Sequence, residues 1–143
     1  MKVTINREND AVLFKVENAT EASAQVDGSP EIGGVNGGLR PMEMLLGALA
    51  TCSAFEVVTI LRKQRQDLQD LRLEVQGHRP SEGDVKPFTA IDIHFLIAGK
   101  VEEKRAQRAV ALALEKYCSV SRSLHPDIEI SSQISITNQN IAS

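Results

Sequence analysis

Apolar and polar positions alternate along this chain in two rhythms and then stop alternating altogether. The unbroken stretch lies between Pro41 and Gln66. From Met44 to Leu61 its only charge is Glu56. A proline at the first helical position, behind a glycine-rich lead-in, marks a start, and the run predicts a helix over about 41–66. About 25 residues make a helix roughly 37 Å long. A compact chain of this size has a radius of gyration of roughly 14–15 Å. A helix that is apolar nearly all round needs cover on every side. A sheet from the same chain covers one side, and a second copy is expected to supply the rest.

The two-residue rhythm appears on both sides of that helix. Lys2–Ile5 and Ala11–Val16 flank the polar turn cluster Asn6 to Asp10, which predicts a β-hairpin, and Glu21–Val26 adds a third strand. This N-terminal β region occupies about 1–38. Gly28 to Arg40 lacks the Lys-Ser/Thr ending of a phosphate loop and reads as a flexible link. Further on, Leu71, Leu73 and Val75 alternate with Arg72, Glu74 and Gln76, and Ile91, Ile93, Phe95 and Ile97 with Asp92 and His94. These make a second β pair over about 70–98, read as antiparallel. Glu102 and Glu103 open a helix of about 101–122 with the charge its N-terminus favours. Ile128, Ile130, Ile134 and Ile136 mark a last strand at about 127–138. The order is strands, long helix, strands, helix, strand. It predicts one α+β domain over 1–143.

Composition removes several function classes. A net charge of −3 argues against nucleic acid or an anionic membrane surface as partner. The basic clusters Arg62, Lys63, Arg65 and Lys104, Arg105, Arg108 read as solvated helix faces, and the few aromatics form no stacking platform. Met44–Leu61 sits at the lower limit of about 17–25 residues for a membrane span. Glu56, Gly47, Thr51 and Ser53 within it, and no second such run, argue against one. The N-terminus has no apolar signal region, so the expected location is cytoplasmic. No C-x-x-C pair accompanies His78, His94 and His125, so no metal is expected. No Gly-x-Ser-x-Gly points to a hydrolase.

The two cysteines are too few for a disulfide scaffold and too far apart for a short-spaced motif. On a helical projection Leu45, Ala48, Leu49, Phe55, Glu56 and Thr59 lie within about 60° of Cys52. Burial in that setting keeps a thiol inert, and mid-helix it gains nothing from the helix terminus, so activation needs a cation brought from elsewhere. A small buried hydrophobe is the competing reading. Cys118 ends the second helix on the face of Val110 and Leu114, beside Tyr117, and also points inward. Two inward thiols on different helices suit a two-step cycle. One attacks a peroxide oxygen and becomes a sulfenic acid, and the other condenses with it to a disulfide.

Pro41 to Cys52 followed by Val57-Val58-Thr59-Ile60-Leu61 resembles the central helix of the OsmC/Ohr family, in its YhfA-type branch. Tyr117-Cys118-Ser119-Val120-Ser121 resembles that family's second cysteine motif, and the likeness extends in element order over nearly the whole chain. The resemblance implies antiparallel sheets wrapped around the long helix in an intertwined homodimer, with sites at the subunit interface. It implies a peroxidase of oxidative-stress defence that reduces small apolar organic hydroperoxides, with Cys52 peroxidatic and Cys118 resolving. No bound cofactor is implied, and an external dithiol serves as reductant. Arg7, in the first hairpin, corresponds to the arginine that assists the family's thiolate; an exposed turn arginine is the competing reading. The family's glutamate position falls on Met42. Glu43, one residue later, lies about 100° round the helix and suits its N-terminus instead. Ser119 stands where many members have proline. The alternative function is a non-catalytic dimer of the same fold that senses redox state or holds an apolar ligand.

Overall fold

The computed structural model describes residues 1–139 and 141 of the chain, in two compact units, Met1–Leu45 and Leu46–Ser143. The first holds a three-stranded antiparallel sheet of β1 (Val3–Arg7), β2 (Phe14–Asn18) and β3 (Ser23–Val26), in that order. The strands start later than the alternation suggests. Asn9 Oδ1 accepts the N–H groups of Ala11 and Leu13, and Glu8 N–H bonds the Leu13 carbonyl, so residues 8–13 are spent on the turn. Cross-strand register places Val3, Ile5, Arg7, Phe14, Val16, Ala24 and Val26 on one face. None of these is buried; Val3 is 51% and Ile5 56% exposed.

The glycine-rich stretch after β3 is a built loop rather than a slack link. Asp27, 1% exposed, takes N–H bonds from Gly28, Val35 and Gly37 through its carboxylate. Arg40 donates to the Gly28 carbonyl and, at 2.6 Å, to Asn36 Oδ1. A side chain at Gly38 would put its Cβ 2.4 Å from the Gln25 carbonyl oxygen, which explains a glycine there.

The helix predicted over 41–66 is α1 (Pro41–Lys63). It ends early because Arg65 turns left-handed (φ 55°) and Gln66 N–H closes on the Leu61 carbonyl at 3.0 Å, a six-to-one capping bond. At the other end Glu43 accepts the Arg40 N–H at 2.8 Å, the reciprocal bond of a capping box. By length and composition α1 could cross a membrane. That is weak evidence, since a core helix passes the same test.

The second unit contains β4 (Asp67–His78), β5 (Ala90–Lys100), α2 (Glu103–Leu112), a π turn (Ala113–Tyr117), α3 (Ser119–Ser123) and β6 (Glu129–Thr137). Its sheet runs β4-β5-β6. Here the expectation of antiparallel sheets needs correction: β4 and β5 are antiparallel, but β6 lies parallel to β5. The reason is the connection, because α2 to α3 form a helical crossover long enough to return the chain to the start of β5. One face carries Leu71, Leu73, Val75, Ile91, Ile93, Phe95, Ile97, Ile130, Ile134 and Ile136. The β5 residues of this face are 1% exposed or less, as are Leu49, Val57 and Leu61 of α1 and Ala106, Ala109 and Val110 of α2. Each large side chain so buried contributes about 1.5–3 kcal/mol. The opposite edge of α1 is open: Gly47, Ala48, Thr51, Phe55 and Thr59 are exposed, Phe55 to 70%.

Candidate functional site

The helix predicted over 101–122 is interrupted, and the interruption sets the site. Cys118 N–H bonds the Ala113 carbonyl at 2.8 Å, five residues back rather than four. The turn from Ala113 to Tyr117 is therefore one residue wider than an α-helical turn. In an unbroken α-helix Tyr117 would lie about 40° from buried Ala113, and Cys118 about 140° away. The wide turn reverses this: Tyr117 is 46% exposed and Cys118 0%. Cys118 points inward, as expected, but the π turn puts it there and not α-helical periodicity.

Cys118 then caps α3, its sulfur accepting the Ser121 N–H at 3.3 Å. The same sulfur lies 3.9 Å from the Leu49 carbonyl oxygen of α1, and the Cys52 thiol and Ser53 hydroxyl lie near enough to bias its protonation. Cys52 and Ser53, three and four residues after Leu49, fall about 60° to one side of it and about 40° to the other, so the Leu49 position lies between them. Both cysteines are free thiols; Cys118 is buried and Cys52 half-buried. Burial, above all, and the adjacent Cys52 thiol push the Cys118 thiol above its ordinary range, against the Ser121 N–H and Ser53 hydroxyl.

Of the three residues singled out in the sequence, Cys52 and Cys118 come together. Arg7 ends β1 in the first unit, registered opposite Phe14 on the apolar face of that sheet. Its guanidinium makes no hydrogen bond or ion pair among the described residues. Ser53 was not legible beforehand, because it lies about 100° from Cys52 on the projection. Only the position of Cys118 reveals it. One helical turn beyond Cys52, Glu56, Thr59, Ile60 and Lys63 line an open groove of about 470 Å³ with Leu112 and Tyr117. A larger cleft of about 770 Å³ lies elsewhere, between α2 and β6.

Comparison with known proteins shows the family and the fold. The family model described as OsmC-like protein matches residues 34–133, a span that includes both thiols and excludes Arg7. This chain belongs to the OsmC-like family. It is 42% identical over 91 residues to Protein YhfA of Escherichia coli K12, covering 63% of this chain and 67% of YhfA. It superposes on a hypothetical protein of Aquifex aeolicus VF5 with a TM-score of 0.78 at 31% identity, covering 96% of this chain and 97% of the other. The organic hydroperoxide resistance protein OsmC of Legionella pneumophila shares the fold, with a TM-score of 0.69 at 18% identity over 94% and 97% of the two chains. The α+β architecture and the family resemblance read from the central helix are both borne out.

Proposed function

We propose that this OsmC-like protein is a thiol-dependent peroxidase that reduces small apolar organic hydroperoxides. The observation that carries the reading is the approach of Cys118, the N-cap of α3, to the part of α1 that bears Cys52. Its sulfur lies 3.9 Å from the carbonyl oxygen of Leu49, one helical turn before Cys52, and the Cys52 thiol biases its protonation. In the proposed cycle the Cys52 thiolate attacks the terminal peroxide oxygen, the O–O bond breaks, the leaving alkoxide takes up the proton released by the thiol and departs as an alcohol, and Cys52 becomes a sulfenic acid. Cys118 condenses with it to a disulfide, which an external dithiol reduces. The roles follow exposure: a substrate reaches half-buried Cys52 before buried Cys118.

The working unit in this reading is a cytoplasmic homodimer, in a compartment where a recycling dithiol is at hand. The apolar face of the β1-β2-β3 sheet and the open edge of α1 around Phe55 are the surfaces a second copy would cover. Arg7 stands on the first of these and is proposed as the cation that favours the Cys52 thiolate, since guanidinium stays charged at any working pH.

The test is turnover of cumene hydroperoxide with a dithiol. Cys52→Ser should abolish it. Cys118→Ser should leave a sulfenic acid that never closes to a disulfide. Arg7→Ala should slow only the first step. A wild-type protein whose thiols ignore the hydroperoxide would overturn the proposal. One observation favours the second reading, a non-catalytic sensing or ligand-holding dimer: the carboxylate of Glu43 is committed to the Arg40 N–H, while the resemblance puts Met42 at the family's glutamate position. Tight binding of an apolar ligand without turnover would select it.

A further inference from the structure

Ser53 and Asp27 are the buried polar side chains among the described residues, at 0% and 1% exposure. Asp27 has its loop to hold together. Ser53 has no such duty. It sits in the middle of α1, where a hydroxyl that bonds back to its own helix adds nothing to helix stability. Alanine would fill the position without any polar atom to satisfy.

The surroundings of Ser53 are those of the second sulfur. Its Oγ donates to the Leu49 carbonyl at 2.9 Å, and Cys118 Sγ approaches the same carbonyl oxygen at 3.9 Å. Two groups that share one acceptor lie within reach of each other, and the Ser53 hydroxyl favours the charged form of the Cys118 sulfur. Among the described residues the other polar groups that act on that sulfur are the Cys52 thiol and the Ser121 N–H, with no cation or carboxylate.

We infer that Ser53 is a proton-handling residue of the disulfide-forming step, its hydroxyl turning from the Leu49 carbonyl to the Cys118 sulfur as that sulfur loses its proton. The inference rests on the peroxidase reading for its functional meaning. A hydroxyl hydrogen is free to rotate between acceptors. A hydrogen bond to a charged acceptor is roughly twice as strong as a neutral one. Burial otherwise holds Cys118 neutral, so a donor on the spot lowers the cost of the charged form. The step balances without any further oxidant. The bond between Cys118 Sγ and Cys52 Sγ forms, the S–O bond of the sulfenic acid breaks, and the Cys118 proton leaves with the departing oxygen as water.

The experiment separates the two steps by rapid mixing of reduced protein with cumene hydroperoxide. In Ser53→Ala, sulfenic acid formation on Cys52 should be unchanged. Disulfide closure should slow roughly tenfold or more, the expected effect of losing a hydrogen bond to a charged group. Its pH profile should move to higher pH, and Ser53→Thr should restore both. A second measurement needs no peroxide: in a Cys52→Ser background, the thiolate absorbance of Cys118 should titrate at higher pH once Ser53 is replaced by alanine. Closure at the wild-type rate with an unmoved profile, or an unmoved titration, would overturn the inference. If the titration moves while wild-type protein ignores hydroperoxide, the peroxidase reading fails and the placement of Ser53 at the sulfur stands.

Discussion

Tyr117 and Cys118 are adjacent in sequence and opposite in environment, the ring 46% exposed and the thiol fully buried. The π turn that separates them, closed by the Cys118 N–H bond to Ala113, leaves one residue more than an α-helical turn would hold.

That extra residue makes an asymmetric prediction about chain length. Deleting exposed Lys116 places Cys118 four residues after Ala113, about 40° from it on an α-helix, and still inward. The deletion variant should form the Cys52–Cys118 disulfide. Inserting one alanine after Glu115 instead carries Cys118 about 120° away. Closure should then fall by roughly 10²-fold, as for a reacting group displaced by an ångström or more. Equal disulfide yields from both variants would show that the turn does not position the thiol.

Glu43 makes a different kind of test, because its carboxylate is engaged at the start of α1. Glu43→Ala should lower stability by about 0.3–1.5 kcal/mol in urea unfolding, the usual worth of a capping interaction. Glu43→Gln should retain most of it, since glutamine also completes the box. Neither change should alter the rate at which Cys52 is oxidised. A slow Glu43→Gln protein of unchanged stability would assign the carboxylate to the thiol instead.

Acid should loosen the loop before α1. The N–H of Gly37, and behind it those of Val35 and Gly28 and the charge of Arg40, hold Asp27 below the usual carboxylate range despite its burial. A depressed folded-state pKa contributes stability above the unfolded value of about 3.9 and loses it as the pH falls through the folded value. Hydrogen-exchange protection of Val35 and Gly37 should therefore be level near neutrality and decline in acid below about pH 4. Asp27→Asn should be less protected throughout and lose that acid dependence. Wild-type protection that persists unchanged in strong acid would contradict the assignment.

Much of this molecule was legible in its residue pattern, for identifiable reasons. Pro41 and the uninterrupted apolar run located α1 because both act within a few turns of the chain. Alternation located β4 and β5 because one face of β4 is half-buried and one face of β5 buried, with outward polar residues on the other side of each. The direction of β6 was not legible, since alternation looks the same whether a strand pairs parallel or antiparallel. The π turn was hidden too: its residues are ordinary helix formers, and a single surplus position is forced by what lies on either side. Inward placement of Cys118 was anticipated on a periodicity that the turn in fact breaks. Ser53 needed the other sulfur in place before it had any chemistry to do.

The central claim is that Cys52 of α1 and Cys118 at the N-cap of α3 form one redox pair. Reduced protein treated with one equivalent of an organic hydroperoxide, quenched with a thiol-blocking reagent and analysed by peptide mass spectrometry tests it directly. The account predicts a cross-linked peptide pair joining Cys52 to Cys118, formed in step with loss of peroxide and absent from either Cys→Ser variant. Peroxide consumed with both thiols still open to the blocking reagent, or a link only between the Cys52 residues of two chains, would contradict it.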